Sequence, residues 1–443
     1  MTDNLARYVT EHERARRGRF QGASPRLASL REDALHRFLD LGFPTTRDEE
    51  WRYTTVAPIV EQVFTLPEAS PASTRVDLAP FVLAGDFAAQ FVFVNGQYAP
   101  ALSEMRDLPA GVVVESLASA LASRPDDVEP YLAPAATVER QAFTLLNAAF
   151  LSDGACIRIP AHATLEKPIH ALFVSAPESD RRATMTHLRV LMVMGADSRA
   201  TLVESYAGPE TANYFTNAVT QIVLAENALL DHYKIQRESV PASHVSTTFI
   251  RAARSATCTS HSVSLGGGLV RNDVMAVLDG EGAECTLNGL YFADQRRFVD
   301  NHTTIDHAQP HCDSREMYKG ILADAARGVF NGKIIVRPDA QKTDAKQTNR
   351  ALLLSEDAQI NTKPQLEIFA NDVKCTHGAA IGQLDEEAVF YLRSRGLSEP
   401  EARHMLIHAF ASDVLQRMPL ASIRASVEAV LQRQLERVLA VAA

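Results

Sequence analysis

The apolar positions Leu27, Leu30, Ala34, Leu35, Phe38 and Leu39 share one helical face, and Pro44 marks an end to that helix. The run Phe91-Val92-Phe93-Val94 before Asn95-Gly96 predicts a buried strand entering a tight turn. Helical spacing returns over 115–122 and 142–151. From about residue 156 to residue 381 the texture changes. Short alternating runs are separated by small polar turns such as Gly195-Ala196-Asp197-Ser198, Ala225-Glu226-Asn227 and Asp279-Gly280-Glu281-Gly282, which predicts an all-β region.

Within that region a small apolar residue follows each turn and opens a strand. The openers read from the sequence are Ala200, Ala228, Ala256, Ala283, Ala340, Ala358 and Val373. Two residues later, on the same strand face, stand Leu202, Leu230, Cys258, Cys285, Lys342, Ile360 and Cys375, apolar or Cys at all but one position. A recurring inward position at a near-constant period predicts stacked coils, as in a parallel β-helix. The end coils of such a stack need covering, and helical regions at both chain ends are the candidates. The C-terminal helices are well signposted. Asp385-Glu386-Glu387 is an acidic start, Gly396 a stop, and Ser398-Glu399-Pro400-Glu401 a capping box with Pro in the first turn. Met405, Leu406, Ala409, Phe410, Val414 and Leu415 predict one apolar face, and a last helix carries Ile423, Val427, Val430, Leu431, Leu435, Val438 and Leu439. The expected organisation is a mostly helical region with a few strands over 1–150, a β-helix over 151–381 and a helical domain over 382–443.

Composition narrows the function. The 443 residues are 46% apolar and 22% charged with a net charge of −10, and no basic block suggests a nucleic-acid surface. No apolar run reaches membrane-spanning length and the N-terminus lacks the apolar stretch of a secretory signal, so a cytoplasmic protein is expected. Five cysteines, with no C-x-x-C pair, fit reduced thiols better than a disulfide framework or a zinc finger.

Three constellations could carry chemistry. Cys375 and His377 lie at i and i+2 on an expected strand, so both leave one face, and thiolate with imidazole suits iron. Cys375 is also in phase with the inward ladder, where buried Cys is packing. The pair offers two donors, so any metal site needs completion from another chain. The stretch 301–313 gathers His302, His307, His311, Cys312, Asp306 and Asp313. His302 and His307 point to opposite strand faces, His311 and Asp313 to the same one, and polar residues outside β coils are the favoured reading. Gly266-Gly267-Gly268 lacks the G-K-[ST] of a phosphate loop and reads as a turn or close backbone approach. The acid pairs Glu281/Glu284 and Asp339/Asp344 leave a β-helical carbohydrate-active enzyme as a rival.

A set of ordered motifs resembles the SufB/SufD family of iron–sulfur cluster assembly proteins. They are Glu50-Trp51-Arg52-Tyr53-Thr54, Leu146-Asn147-Ala148-Ala149-Phe150, Gly332-Lys333-Ile334-Ile335-Val336, Asp339–Ala345, Gln347-Thr348-Asn349, Leu352-Leu353-Leu354, Lys363-Pro364, Leu366-Glu367-Ile368, Asp372-Val373-Lys374-Cys375 and Phe390–Leu397. The run Cys375–Asp385 and the early Trp51 motif resemble the SufD branch rather than SufB. The resemblance implies a right-handed parallel β-helix flanked by helical regions. It implies a non-catalytic scaffold that pairs with a SufB-type paralogue through β-helix ends and docks a SufC-type ATPase on its C-terminal helices. It further implies His377, with Cys375 beside it as the second candidate, as ligand of iron or a nascent Fe–S cluster at that interface, with no cofactor bound tightly by the isolated chain. A homodimer in isolation and a SufB-like chain able to hold a cluster alone remain alternatives.

Overall fold

The computed structural model describes residues 3–68, 76–106, 108–132, 141–177 and 182–441. Its centre is a parallel β-helix in which successive strands alternate between two sheets. The first sheet runs β2 (Gln97–Tyr98), β1 (Ala89–Val94), β6 (Ile169–Val174), β8 (Arg199–Ala207), β10 (Leu229–Arg237), β12 (Thr257–Ser264), β14 (Glu284–Ala293), β16 (Asp313–Leu322), β18 (Asp344–Leu353) and β20 (Lys374–Gly382), with β3 (Glu104–Met105) also paired to β1. The second runs β4 (Val113–Ser116), β5 (Asp153–Ile159), β7 (Thr184–Met194), β9 (Tyr214–Leu224), β11 (Ser243–Ala252), β13 (Leu269–Leu278), β15 (Phe298–His307), β17 (Arg327–Val336) and β19 (Gln359–Ile368). Apart from the hairpin β1–β2 and the pairs β1–β3 and β4–β5, neighbours are parallel.

The corner that starts each first-sheet strand explains the period. Asp197, Asn227, Ser255, Gly282, His311 and Lys342 all have positive φ, between 54° and 70°, the left-handed conformation that Asn, Asp and Gly tolerate best. Each hands its N–H to the next coil, as from Asp197 to the Glu226 carbonyl at 2.9 Å and from Lys342 to that of Asp372 at 2.7 Å. Directly after these corners stand Ser198, Ala228, Ala256, Ala283, Cys312 and Thr343, all buried because the chain turns tightly there.

This register corrects the sequence-read repeat. The inward column is Ala200, Leu230, Cys258, Cys285, Ser314, Ala345 and Cys375. Leu202 shares that face but pairs with His232, one column along. Ile360 belongs to the second sheet, Ala358 is the corner residue before β19, and Lys342 is a left-handed turn residue rather than a break in the ladder. Two sheets with similar corners produced one apparent repeat. Inside, bulk is matched between coils. A side chain at Gly289 would collide with Tyr318, and one at Gly320 with Tyr291, so each ring fills the gap left by its neighbour's glycine.

The helices cover the flanks of the β-helix. α1 (Asp3–Arg17) and α2 (Pro25–Leu41) are followed by the short α3 (Ala57–Val60), α4 (Leu117–Ser123), α5 (Pro125–Leu132) and α6 (Ala142–Ala149). α2 ends one turn before Pro44, capped by Gly42 at φ 72°. Tyr8, Phe38, Phe143 and Phe150 from this region pack on Met185, Phe215, Val245 and Leu269 of the second sheet's outer face. α7 (Glu386–Ser394), α8 (Glu399–Leu415) and α9 (Ala421–Val441) follow the last strand, with Asp385 as N-cap of α7 and the expected Ser398/Glu401 capping box on α8. The buried face of α8 is Ala402, Ile407, Ala411, Val414 and Leu415, while Met405 is exposed, contrary to the face read from the sequence. The outward positions Val203, Tyr233, Ile235, Leu290, Phe292 and Ile321 of the first sheet are apolar and receive α8 and α9. That placement leaves the terminal coil, β19 with β20, open.

Candidate functional site: the open terminal coil

The end of the β-helix is built from two strands with nothing paired beyond them among the described residues. Among the described residues β19 pairs with β17 alone, and β20 with β18 alone. Gln359 and Phe369 give their N–H groups to Ala326 and Val336, so odd-numbered residues of β19 face β17 and even-numbered ones face the open edge. Pro364 falls on the open edge, where its missing N–H interrupts the row of donors. Lys374 gives its N–H to Thr343, so in β20 the backbones of Cys375, His377, Ala379 and Ile381 face outward. β20 is therefore the uninterrupted edge, a template for an added strand. Ile368, Phe369 and Ile381 are exposed beside it.

The two predicted ligands sit on this edge. Cys375 stacks on Ala345 and His377 on Gln347, on the face that in earlier coils lines the interior. With no coil above, Cys375 is half-buried and His377 exposed. The inward phase read from the sequence holds, and the open end is what brings both side chains to the surface. Burial first, and then Asp344, push the Cys375 thiol up despite a backbone hydrogen bond from Ala345, so it is a reluctant thiolate. Below His377 the column continues through Gln347, whose Nε2 donates to the Glu316 carboxylate at 2.8 Å. Both are buried, and burial raises Glu316 to about 7 although Gln347 opposes the shift. The sequence offered no sign of this buried acid, since one Glu in an alternating strand looks solvated.

The stretch 301–313 does not form one site. His307 points inward and shares a 2.9 Å hydrogen bond with Ser314. His302 points outward, as the odd separation predicted. His311 occupies a corner at φ 60°, so the expected shared face with Asp313 is not formed. Among the described residues no group of three His, Cys, Asp or Glu side chains could hold a metal ion. Gly266–Gly268 is a close backbone approach. A side chain at Gly266 would strike the backbone of Glu238, and Gly267 has φ 79°. All five cysteines carry free thiols. No helix among the described residues is long and apolar enough to cross a membrane.

A second surface lies on the C-terminal helices. Phe390, Tyr391 and Met405 are 72%, 56% and 49% exposed, with Arg395 stacked over Tyr391. Large apolar side chains this exposed on consecutive helices mark a contact surface more often than chance. Behind it, Lys319 of β16 fastens α8 to the sheet through the Phe410 carbonyl and Asp413.

A parallel β-helix with helical flanks and an open terminal coil defines a class of architecture. Comparison with known proteins makes the class specific. The model of the SUF system FeS cluster assembly SufBD core domain matches residues 175–410, and that of the SufBD N-terminal region matches 2–171. An iron–sulfur cluster assembly SufBD family protein of Synechocystis is 36% identical over 91% of this chain and 88% of its own length. The iron–sulfur cluster assembly protein SufD of Escherichia coli is 30% identical over 90% and 91%, and that of Bacillus subtilis 26% over 93% and 94%. The chain belongs to the SufBD family of iron–sulfur cluster assembly proteins and is SufD-like.

Proposed function

We propose that this chain is the non-catalytic, cytoplasmic SufD-type scaffold of a SufB–SufC–SufD complex. A SufB-type paralogue adds its own strand to the β20 edge, and iron or a nascent cluster, as cargo, is held between the two chains. The observation that carries the reading is the open terminal coil, where an unbroken row of backbone donors runs beside an exposed His377. His377 is the ligand, because its ring is exposed while the Cys375 thiol is half-buried and held protonated. Even with Cys375 as a second donor the coordination of an iron stays unfilled, so cluster retention depends on the partner. His377→Ala is expected to lower the iron and sulfide content of the purified three-protein complex by about 10–100-fold, the range for losing a metal-site partner or more, without changing complex assembly. Unchanged iron and sulfide would remove His377 from the ligand set.

The SufC-type ATPase docks on α7 and α8 around Phe390, Tyr391 and Met405. Replacing Phe390 and Tyr391 together with Ser is expected to weaken ATPase capture by at least about 2 kcal/mol, as for aromatic hot spots, while leaving SufB pairing unaltered. Pull-down with each partner separately measures both. Equal loss of both partners would show that the change disturbs the fold rather than a docking face.

A further inference from the structure

The segment 44–54, between α2 and α3, crosses the outer face of the second sheet as a strap. Its hold on the sheet is ionic and partly buried. Trp51 lies over the guanidinium of Arg271 at 4.3 Å and against Phe143. Arg271 donates to the Glu50 carbonyl at 2.9 Å and to Asp300 at 2.6 Å, and also pairs with Asp273. Thr54 donates its hydroxyl to Asp300. His302 stands at the centre. Its Nδ1 faces the Glu50 carboxylate at 3.4 Å and its Nε2 faces Asp300 at 3.1 Å. Lys333 reaches Glu50 at 3.5 Å and Glu367 at 3.7 Å, and Lys363 of β19 reaches Glu49 at 2.8 Å. The strap thus touches β13, β15, β17 and the open terminal strand β19, beside a groove of about 680 Å³ lined by Phe43, Trp51, Phe143 and Met275.

Charge counting singles out His302. The carboxylates of Glu50, Asp273, Asp300 and Glu367 face two permanent cations, Arg271 and Lys333. Asp273 is also the in-register neighbour of His302. A protonated His302 brings a third cation to the set, and a neutral one leaves more negative charge unmatched under the strap, in a place where Asp300 is fully buried.

We infer that His302 is a proton-operated latch that fastens the strap 44–54, through Glu50, onto the coils leading to the open end. Protonated, it bridges Glu50 and Asp300 and holds Trp51 down on Arg271. Neutral, it releases Glu50, and the strap loosens its grip on β17 and β19. Burial and Arg271 oppose the charge on His302, but Asp300 and Glu50 outweigh them and raise its pKa. A raised histidine stabilises the closed form fully below its unfolded pKa and loses that contribution as pH rises through the folded one. The latch therefore closes at low pH and opens as pH rises through a folded-state pKa above the ordinary histidine value.

Trp51 is the sole tryptophan of the chain, so the strap reports on itself. In the full chain, raising pH from about 6 to about 9, across the range where histidine titrates, is expected to shift Trp51 emission to the red and raise its acrylamide quenching several-fold. Amide exchange in β19 should quicken in parallel. His302→Gln should give the open signal at every pH, and His302→Arg, a permanent cation, the closed one. Glu50→Gln, a partly exposed change on the strap itself, should give the open signal even if the His302 variants fold poorly. A Trp51 signal that stays flat with pH in the wild type, or a Glu50→Gln chain that keeps the wild-type pH response, would overturn the latch.

Discussion

Arg271→Met is expected to destabilise the protein by about 3–5 kcal/mol, the usual cost of leaving a buried charge unpaired. Arg271 is 2% exposed and its partner Asp300 is fully buried. The guanidinium satisfies Asp300, Asp273 and the Glu50 carbonyl at once. Burial works against its charge, but the two aspartates overcome that and raise its pKa further. In return it helps hold Asp300 at about 2, against burial that would otherwise protonate it. Methionine keeps most of the volume, so the loss measures charge rather than packing. Urea unfolding followed by Trp51 fluorescence should show a lower midpoint. Adding Asp300→Asn to Arg271→Met should recover a substantial part, since the second change removes the stranded charge. A loss below about 1 kcal/mol, the worth of an exposed pair, would mean that the cluster is solvated.

The second large effect has the opposite sign. Glu316→Gln is expected to stabilise the protein at pH 8 by up to about 3 kcal/mol, from 1.36 kcal/mol per pKa unit. Burial lifts this carboxyl from 4.5 to about 7. Between those values the folded state holds a proton that the unfolded state has lost, so stability falls as pH rises through that window and levels off above it. Glutamine pays no such penalty and still accepts the hydrogen bond from Gln347. At pH 5, where Glu316 is protonated in the fold, wild type and variant should unfold at nearly the same urea concentration. A variant that gains equally at pH 5 and pH 8 would show that ionisation is not the cause. The column beneath His377 carries a charge that the fold tolerates rather than needs.

How much of this was legible depends on the range of the signal. The Ser398/Glu401 box, the Asp385 cap and the Asn95-Gly96 turn are local, and each forms where its residues stand. The inward phase of Cys375 and His377 is a parity statement, which survives even though the repeat was aligned incorrectly. Ala358 was misplaced because corners of two different sheets share the same small, buried chemistry, and Ala340 because it stands three residues before the equivalent corner position, Thr343, of its own first-sheet turn. Met405 was misplaced because apolar spacing on α8 runs around more than one side, and only the packing partners choose the buried one.

By itself the sequence determined coils, corners, caps and a family resemblance, because these follow from short-range periodicity and motif order. Three things were decided only by the tertiary structure. One is that α8 and α9 lie on the flank of the first sheet, since apolar outward residues such as Val203 and Phe292 are spread over six coils and declare a surface only when stacked. Another is the ionic clamp of Glu50, Arg271, Asp300 and His302, whose members lie up to 252 residues apart in the chain. The third is exposure at the terminal coil. Cys375 and His377 occupy inward positions like those of every coil before them, and they reach the surface solely because no further coil covers them.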